Sequence, residues 1–294
     1  LPAGDPARRA AGRRATAQTI ADARKNLGLD QPLHVQYGRF AKGLLPIPGW
    51  FLNAEYYYSY NNFVPVKEEL SGRIGVTLTL AVGGAAVWLL MGIPIGVISA
   101  IKRRSIVDRA SMIFALIAIS APVFWLAYLF LYVFWFKLGI APESGLPLDQ
   151  STTQSVLEGR FVMPWLVIAF SFAAQYSRMT RGNMIETMSE DYIRTARAKG
   201  LSERRVVFRH GLRSALTPVV TMFGLDIGYL LGGAIITETV FNLPGLGQYT
   251  INAISTSDFP AVMGITVIAA LFIAISNLIV DVSYAALDPR VRYT

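Results

Sequence analysis

Asp191-Tyr192-Ile193-Arg194-Thr195-Ala196-Arg197-Ala198-Lys199-Gly200, continuing through residue 216 as LSERRVVFRHGLRSAL, is the stretch on which the reading of this chain turns. Between Arg194 and Arg213 stand seven cationic residues (Arg194, Arg197, Lys199, Arg204, Arg205, Arg209, Arg213) and one acid, Glu203. Uncharged runs of membrane length lie on both sides. A segment this charged does not rest in hydrocarbon, so it must lie on an aqueous face with a spanning segment tethering each end. Gly200 divides it into two short helical halves.

The composition agrees. The chain is 53% hydrophobic and 16% charged, against about 25% charged in an ordinary soluble domain. Its net charge of +8 reads as basic loops on one side of a membrane rather than as a nucleic-acid surface. There is no cysteine, which excludes disulfides, iron–sulfur clusters and thiolate zinc sites. The two histidines, His34 and His210, have no partner at ligand spacing, so no metal site is expected.

Working outward from the basic segment, the uncharged runs predict five spans at 74–101, 110–136, 161–177, 214–237 and 262–280. Pro122 is expected to kink the second. The basic groups after each inward end (Lys102-Arg103-Arg104, then Arg178 and Arg181, then 288–292) put those ends and the C-terminus in the cytoplasm. The connections at 137–160 and 241–260 then face outward as loops. An odd number of spans places Leu1 outside, and a first span upstream of it is expected, giving six. Residues 1–70 read as an extracytoplasmic region with a helix near 16–27, a turn at 28–32, and an aromatic stretch (Trp50, Tyr56, Tyr57, Tyr58, Tyr60) of the kind that sits at headgroup level. Residues 71–294 form the transmembrane part, with the basic segment 191–213 inside it.

No G-x-S-x-G, H-E-x-x-H or P-loop pattern appears, and Asp226, Glu238 and Asp281 are not spaced as a catalytic pair, so the chain reads as non-enzymatic. Asp226 interrupts an apolar run and is the candidate for a side chain lining a path, since intramembrane acids face cavities. With no second intramembrane charge, a proton relay is disfavoured. Gly224, Gly228 and Gly232 recur every four residues, and Gly92 and Gly96 make a similar pair, both patterns of close helix packing. For the basic segment itself a plain cytoplasmic loop and a docking element remain open. In the second reading Tyr192, Ile193, Ala196 and Leu201 supply an apolar surface for a soluble partner.

At this point four stretches make a pattern. The segment Tyr192-Ile-Arg-Thr-Ala-Arg-Ala-Lys-Gly-Leu-Ser-Glu resembles the EAA-loop region of bacterial ABC importer permeases, in the form of the dipeptide/oligopeptide branch. Leu27-Gly28-Leu29-Asp30-Gln31-Pro32-Leu33 with Gln36-Tyr37 agrees, as do Glu238-Thr239-Val240-Phe241 through Leu243-Pro244-Gly245-Leu246-Gly247 and the terminal Leu287-Asp288-Pro289-Arg290. The resemblance implies an all-α polytopic membrane protein with the ABC importer transmembrane fold, acting as a peptide permease subunit. It implies a second homologous permease, two cytoplasmic ATP-binding subunits that hold ATP and Mg, an extracytoplasmic substrate-binding protein, surrounding lipid, and no nucleic acid or cofactor in this chain. It implies a coupling helix at 191–200, with Gly200 the motif glycine. The chain departs from the general pattern: Arg194, Thr195 and Ala196 stand where Glu-Ala-Ala begins, and His210-Gly211-Leu212-Arg213 where an apolar-x-Leu-Pro ending is usual. Nickel, glutathione or heme cargo is the alternative within the family. A secondary transporter would call for internal repeats and paired intramembrane charges, neither of which is present. A membrane-anchored protein using the basic segment only on lipid headgroups would not need the glycine-faced spans.

Overall fold

The structure is a computed structural model that describes residues 7–8, 11–12, 15–26, 28–44, 51–52, 57–62, 64–147, 151–232 and 234–287. Among them the regular elements are helices, and the one β-type pairing is an isolated bridge between Tyr58 and Pro65. Leu27, Pro46, Pro48, Trp50, Tyr56 and the terminal 288–292 lie outside the described residues.

Helices α1 (Ala17–Asn26) and α2 (Leu33–Leu44) come first, separated by a turn in which Gly28 takes φ 64°. Helix α3 (Val66–Ile101) follows, 36 residues long. It starts at Val66 rather than Ile74, because Glu68 and Glu69 suit the positive end of a helix and Glu69 pairs with Arg73 one turn on at 2.7 Å. The boundary drawn at residue 70 therefore falls inside a helix.

Ser105 caps α4 (Ile106–Ser120), accepting a hydrogen bond from the Asp108 N–H at 3.2 Å. The helix stops at Ala121, since a residue before proline avoids the helical region. Helix α5 (Val123–Lys137) leaves at 102° to it, and its second half, Leu131–Lys137, is π-helical. The kink expected at Pro122 is a full break, so 110–136 is no straight span. The connection at 137–160 carries a short helix, α6 (Thr152–Leu157).

Helix α7 (Val162–Thr187) runs well past the apolar stretch that ends at Ser177. Then come α8 (Asp191–Ala198), α9 (Glu203–Ala215, with a π-helical turn at Val206–Gly211) and α10 (Thr217–Leu231), the last two meeting at 48°. The span drawn at 214–237 is thus two pieces. Its first residues belong to α9, and α10 ends at a glycine, Gly232, the poorest helix former after proline. Ile235 opens a separate helix, α11 (Ile235–Val240). The connection expected as a loop at 241–260 contains α12 (Leu246–Ser255), and α13 (Phe259–Leu287) closes the chain.

Helices α3 and α13 are long and apolar enough to cross a membrane, and four segments are if each bent pair counts as one span. Helix α7 is not among them. Its 26 residues supply the length, but Gln175, Arg178 and Arg181 dilute its apolar character. The five-span expectation therefore holds for two straight helices and two broken ones, with α7 the charged exception.

The core lies between α3 and α7. Trp88 is fully buried, stacked on Phe172 at 4.6 Å and tilted against Tyr176 at 5.8 Å between ring centroids. Gly92 and Gly96 pack as expected: a Cβ at Gly96 would stand 2.6 Å from the Ser177 carbonyl oxygen, so only a glycine lets α3 and α7 approach this closely. Gly224 and Gly228 do the same against Val280 and Ser276 of α13. Tyr57 corrects one expectation. It is 2% exposed, and its hydroxyl donates to the Phe40 carbonyl at 2.9 Å, so it joins a core with Leu52, Val66, Leu70 and Leu246 instead of a headgroup belt.

Candidate functional site: the basic segment and its anchors

Helix α8 is amphipathic, and its apolar side faces inward. Ile193 is fully buried and Ala196 is 7% exposed; both pack on Val206, with Met188 and Leu201 alongside. This corrects the expectation that Tyr192, Ile193, Ala196 and Leu201 together offer an apolar docking surface. A buried cluster is worth more to the protein's own fold than to a partner it has yet to meet. Of the four, Tyr192 alone is classed as exposed, at 45%. Asp191, Arg194, Thr195, Arg197, Ala198, Lys199 and Gly200 are exposed with it.

The end of α8 is closed by its own backbone. The Gly200 N–H donates to the Arg197 carbonyl at 2.9 Å and the Leu201 N–H to the Ala196 carbonyl at 3.4 Å, with Gly200 at φ 76°. This is the paired bonding of a Schellman turn, and the Leu201–Ala196 contact is its usual apolar companion. A Cβ on Gly200 would meet nothing within 4 Å, so the demand for glycine is conformational rather than steric. Arg197 reaches across the turn to Glu203 at 2.7 Å, and its guanidinium holds that carboxyl below the ordinary glutamate value.

Asp226, on α10, is partly buried and accepts a hydrogen bond from the Tyr176 hydroxyl of α7 at 2.8 Å. Among the described residues no hydrogen bond or ion pair joins it to the segment, so the two sets of candidate residues are separate.

Two further polar centres form, one around Asp108, which the sequence reading passed over, and one around Glu238, which it named without seeing its burial. At the turn between α3 and α4, Asp108 is 4% exposed and takes four hydrogen bonds. Arg181 of α7 donates two, Nε to Oδ1 at 2.6 Å and Nη2 to Oδ2 at 2.9 Å. The Ser99 hydroxyl adds one at 2.5 Å and the Arg104 N–H one at 2.8 Å. Arg104 itself has φ 66°, a left-handed conformation rare for a non-glycine residue. The available signal was Ser105-x-x-Asp108, a helix-start pattern just after a basic cluster. The second centre is Glu238, fully buried and, among the described residues, in no ion pair. Its Oε1 accepts from the Thr77 hydroxyl at 2.8 Å and its Oε2 from the Gln248 N–H at 2.9 Å, with the Gly247 and Ala234 N–H groups as further donors. Burial pushes this carboxyl above the ordinary value, and those donors oppose the shift. The carboxylate sits at the first turn of α12, where the helix dipole favours an anion.

Comparison with known proteins was made against this geometry. The family described as binding-protein-dependent transport system inner membrane component matches residues 92–293, and the corresponding N-terminal family matches residues 1–81. The glutathione transport system permease protein GsiC of Salmonella paratyphi A is 40% identical over 290 residues, covering 99% of this chain and 90% of that protein. The protein of the same name from Escherichia coli K12 is 39% identical over the same span. Among solved structures, an inward-facing methionine ABC transporter, MetNI, superimposes with a TM-score of 0.59 at 18% identity. It covers 76% of this chain and 98% of the matched chain, a likeness of fold.

Proposed function

This chain belongs to the inner membrane components of binding-protein-dependent transport systems, a multi-pass permease subunit of a bacterial ABC importer, and from that premise we propose that its cargo is a small peptide, with the tripeptide glutathione the specific candidate. The observation that carries the cargo reading is the likeness to glutathione permeases over 99% of the chain. The subunit then forms half of a translocation path with a second, homologous permease. An extracytoplasmic binding protein delivers the peptide, and two cytoplasmic ATPase subunits hold ATP and Mg. The end of the bundle bearing the basic segment is cytoplasmic, and residues 1–70 are extracytoplasmic.

The docking element is α8 with its closing turn, residues 191–200. Ile193 and Ala196 hold it to the permease, and the outward residues Asp191, Tyr192, Arg194, Thr195, Arg197, Ala198 and Lys199 meet the ATPase. A short helix anchored on one side and exposed on the other suits insertion into a groove. Gly200 fixes the angle at which it is presented. Asp226 borders the path, oriented by Tyr176.

The test is reconstitution of the permease pair with its ATPases and binding protein in vesicles, with uptake measured for glutathione, a plain dipeptide and nickel. ATP-dependent accumulation of glutathione supports the reading; accumulation of nickel alone overturns the cargo. In the same system Gly200→Leu should cut uptake several-fold while membrane insertion is retained, because a left-handed Leu costs about 1–2 kcal/mol and pulls the turn toward another shape. Wild-type ATPase recovery and uptake in that variant would remove the docking role from this turn.

A further inference from the structure

Arg181 and Arg197 lie on either side of the turn between α7 and α8, and each holds a carboxylate at hydrogen-bonding distance, yet their surroundings differ. Arg197 and Glu203 have side chains 43% and 61% exposed, and such a pair is screened by water. The side chains of Arg181 and Asp108 are 24% and 6% exposed, joined by two parallel bonds, and Asp108 binds two more donors from α3 and the turn after it. A fork-to-carboxylate pair with little water around it fixes orientation as well as distance.

Its position gives that rigidity a direction. Helix α7 carries Arg181 less than two turns before it ends at Thr187 and the chain enters α8. Asp108 joins the end of α3, through Ser99, to the start of α4. Just above the pair, Gly96 places the α3 backbone against Ser177 and Thr180 of α7, so the two helices have no side-chain layer in which to slide. Below it, the left-handed Arg104 is held by its own N–H bond to Asp108, which binds the shape of the turn to the same carboxylate. Three helices thus meet at one side chain, and one of them, α7, leads within two turns into α8.

We propose that the Asp108–Arg181 pair is a positioning strut that carries displacement of α8 into the α3–α4 turn, making α3, α4 and α7 move as one body when the ATPases close. Neither residue is exposed enough to serve as the ATPase contact. They act through α7, so they are positioning residues for transport. The inference rests on the docking of α8 proposed above, and it assigns a role to residues outside that segment.

The chain contains no cysteine, so with the partner subunits also made cysteine-free, paired labels at Lys102→Cys and Glu186→Cys report one distance, from the α3–α4 turn to the end of α7. Both positions are exposed. In the full transporter the spin–spin distance should be the same without nucleotide and with trapped ATP. With Asp108→Asn it should shift or broaden on trapping ATP, and glutathione taken up per ATP hydrolysed should fall at least five-fold while the ATPases still copurify. Arg181→Lys keeps the charge and loses the fork, and is the variant to use if Asp108→Asn inserts poorly; it should show the same uncoupling, smaller in size.

A pair that only stabilised the fold would lower the amount of assembled transporter and leave uptake per ATP and the labelled distance unchanged, and that result would overturn the strut. Failure of the wild-type chain to retain the ATPases would instead overturn the docking reading, and the strut with it.

Discussion

Helix α3 meets a buried carboxylate at two levels, at Ser99 near its end and at Thr77 about three turns after its start, and the two are neutralised by different means. Ser99 bonds Asp108 and Thr77 bonds Glu238; along a helix rising about 1.5 Å per residue these sites are about 33 Å apart. At Asp108 the counter-charge is a guanidinium from another helix, so the bond ties separate parts of the bundle together. At Glu238 none of the described residues supplies a cation. The negative charge is met by the Thr77 hydroxyl of α3 and by backbone N–H groups at the start of α12, so this centre also ties α3 to another part of the bundle, but through neutral donors. The two centres therefore differ in the donor: a charged guanidinium fork at one, neutral donors and a helix start at the other.

The contrast can be broken most directly at Glu238. Glu238→Ala should destabilise the purified subunit by about 3 kcal/mol, since it strands several buried donors at once. Thermal unfolding in detergent would read the loss, and a change below about 1 kcal/mol would mean that water replaces the carboxylate. Smaller effects separate the two sites more finely. Thr77 both donates to Glu238 and accepts the Leu246 N–H at 2.8 Å, so Thr77→Ala removes two bonds and should cost about 2 kcal/mol. Ser99→Ala removes one of four bonds to Asp108 and should cost about 1 kcal/mol in the same melt, because Arg181 remains. An equal or larger loss at Ser99 would reverse the assignment of which centre depends on a single strong partner.

What was legible in the sequence was what repeats or punctuates. The uncharged runs located α3 and α13, the glycine pairs located two close helix contacts, and Gly200 marked the end of α8 at the residue where the left-handed turn lies. Helix α7 was located too, but its length was hidden, because Arg178 and Arg181 read as the border of a span when the helix continues to Thr187. The break at Pro122 was visible and its 102° angle was not, since a proline states that the hydrogen bonding fails and not how far the chain then turns. The inward set of Ile193 and Ala196 was also illegible. An apolar face on a short helix looks the same whether it meets a partner or its own protein, and the deciding residue, Val206, lies ten positions beyond Ala196 in a π-helical turn. Asp226 was singled out alone; its partner Tyr176 lies fifty residues away on α7.

The closing turn of α8 has one more consequence. Because its end is bonded by its own backbone and its inner side is held by two residues, the segment is a cassette whose outer positions are free to change with little penalty to the fold. With α8 as the docking element proposed above, a duplicated transporter could drift at Tyr192, Arg194, Thr195, Ala198 and Lys199 until it recognised only its own motor, while Ile193, Ala196 and Gly200 kept the cassette seated. Insulation between parallel uptake systems would then be written in a handful of surface letters, at a place where the architecture tolerates rewriting.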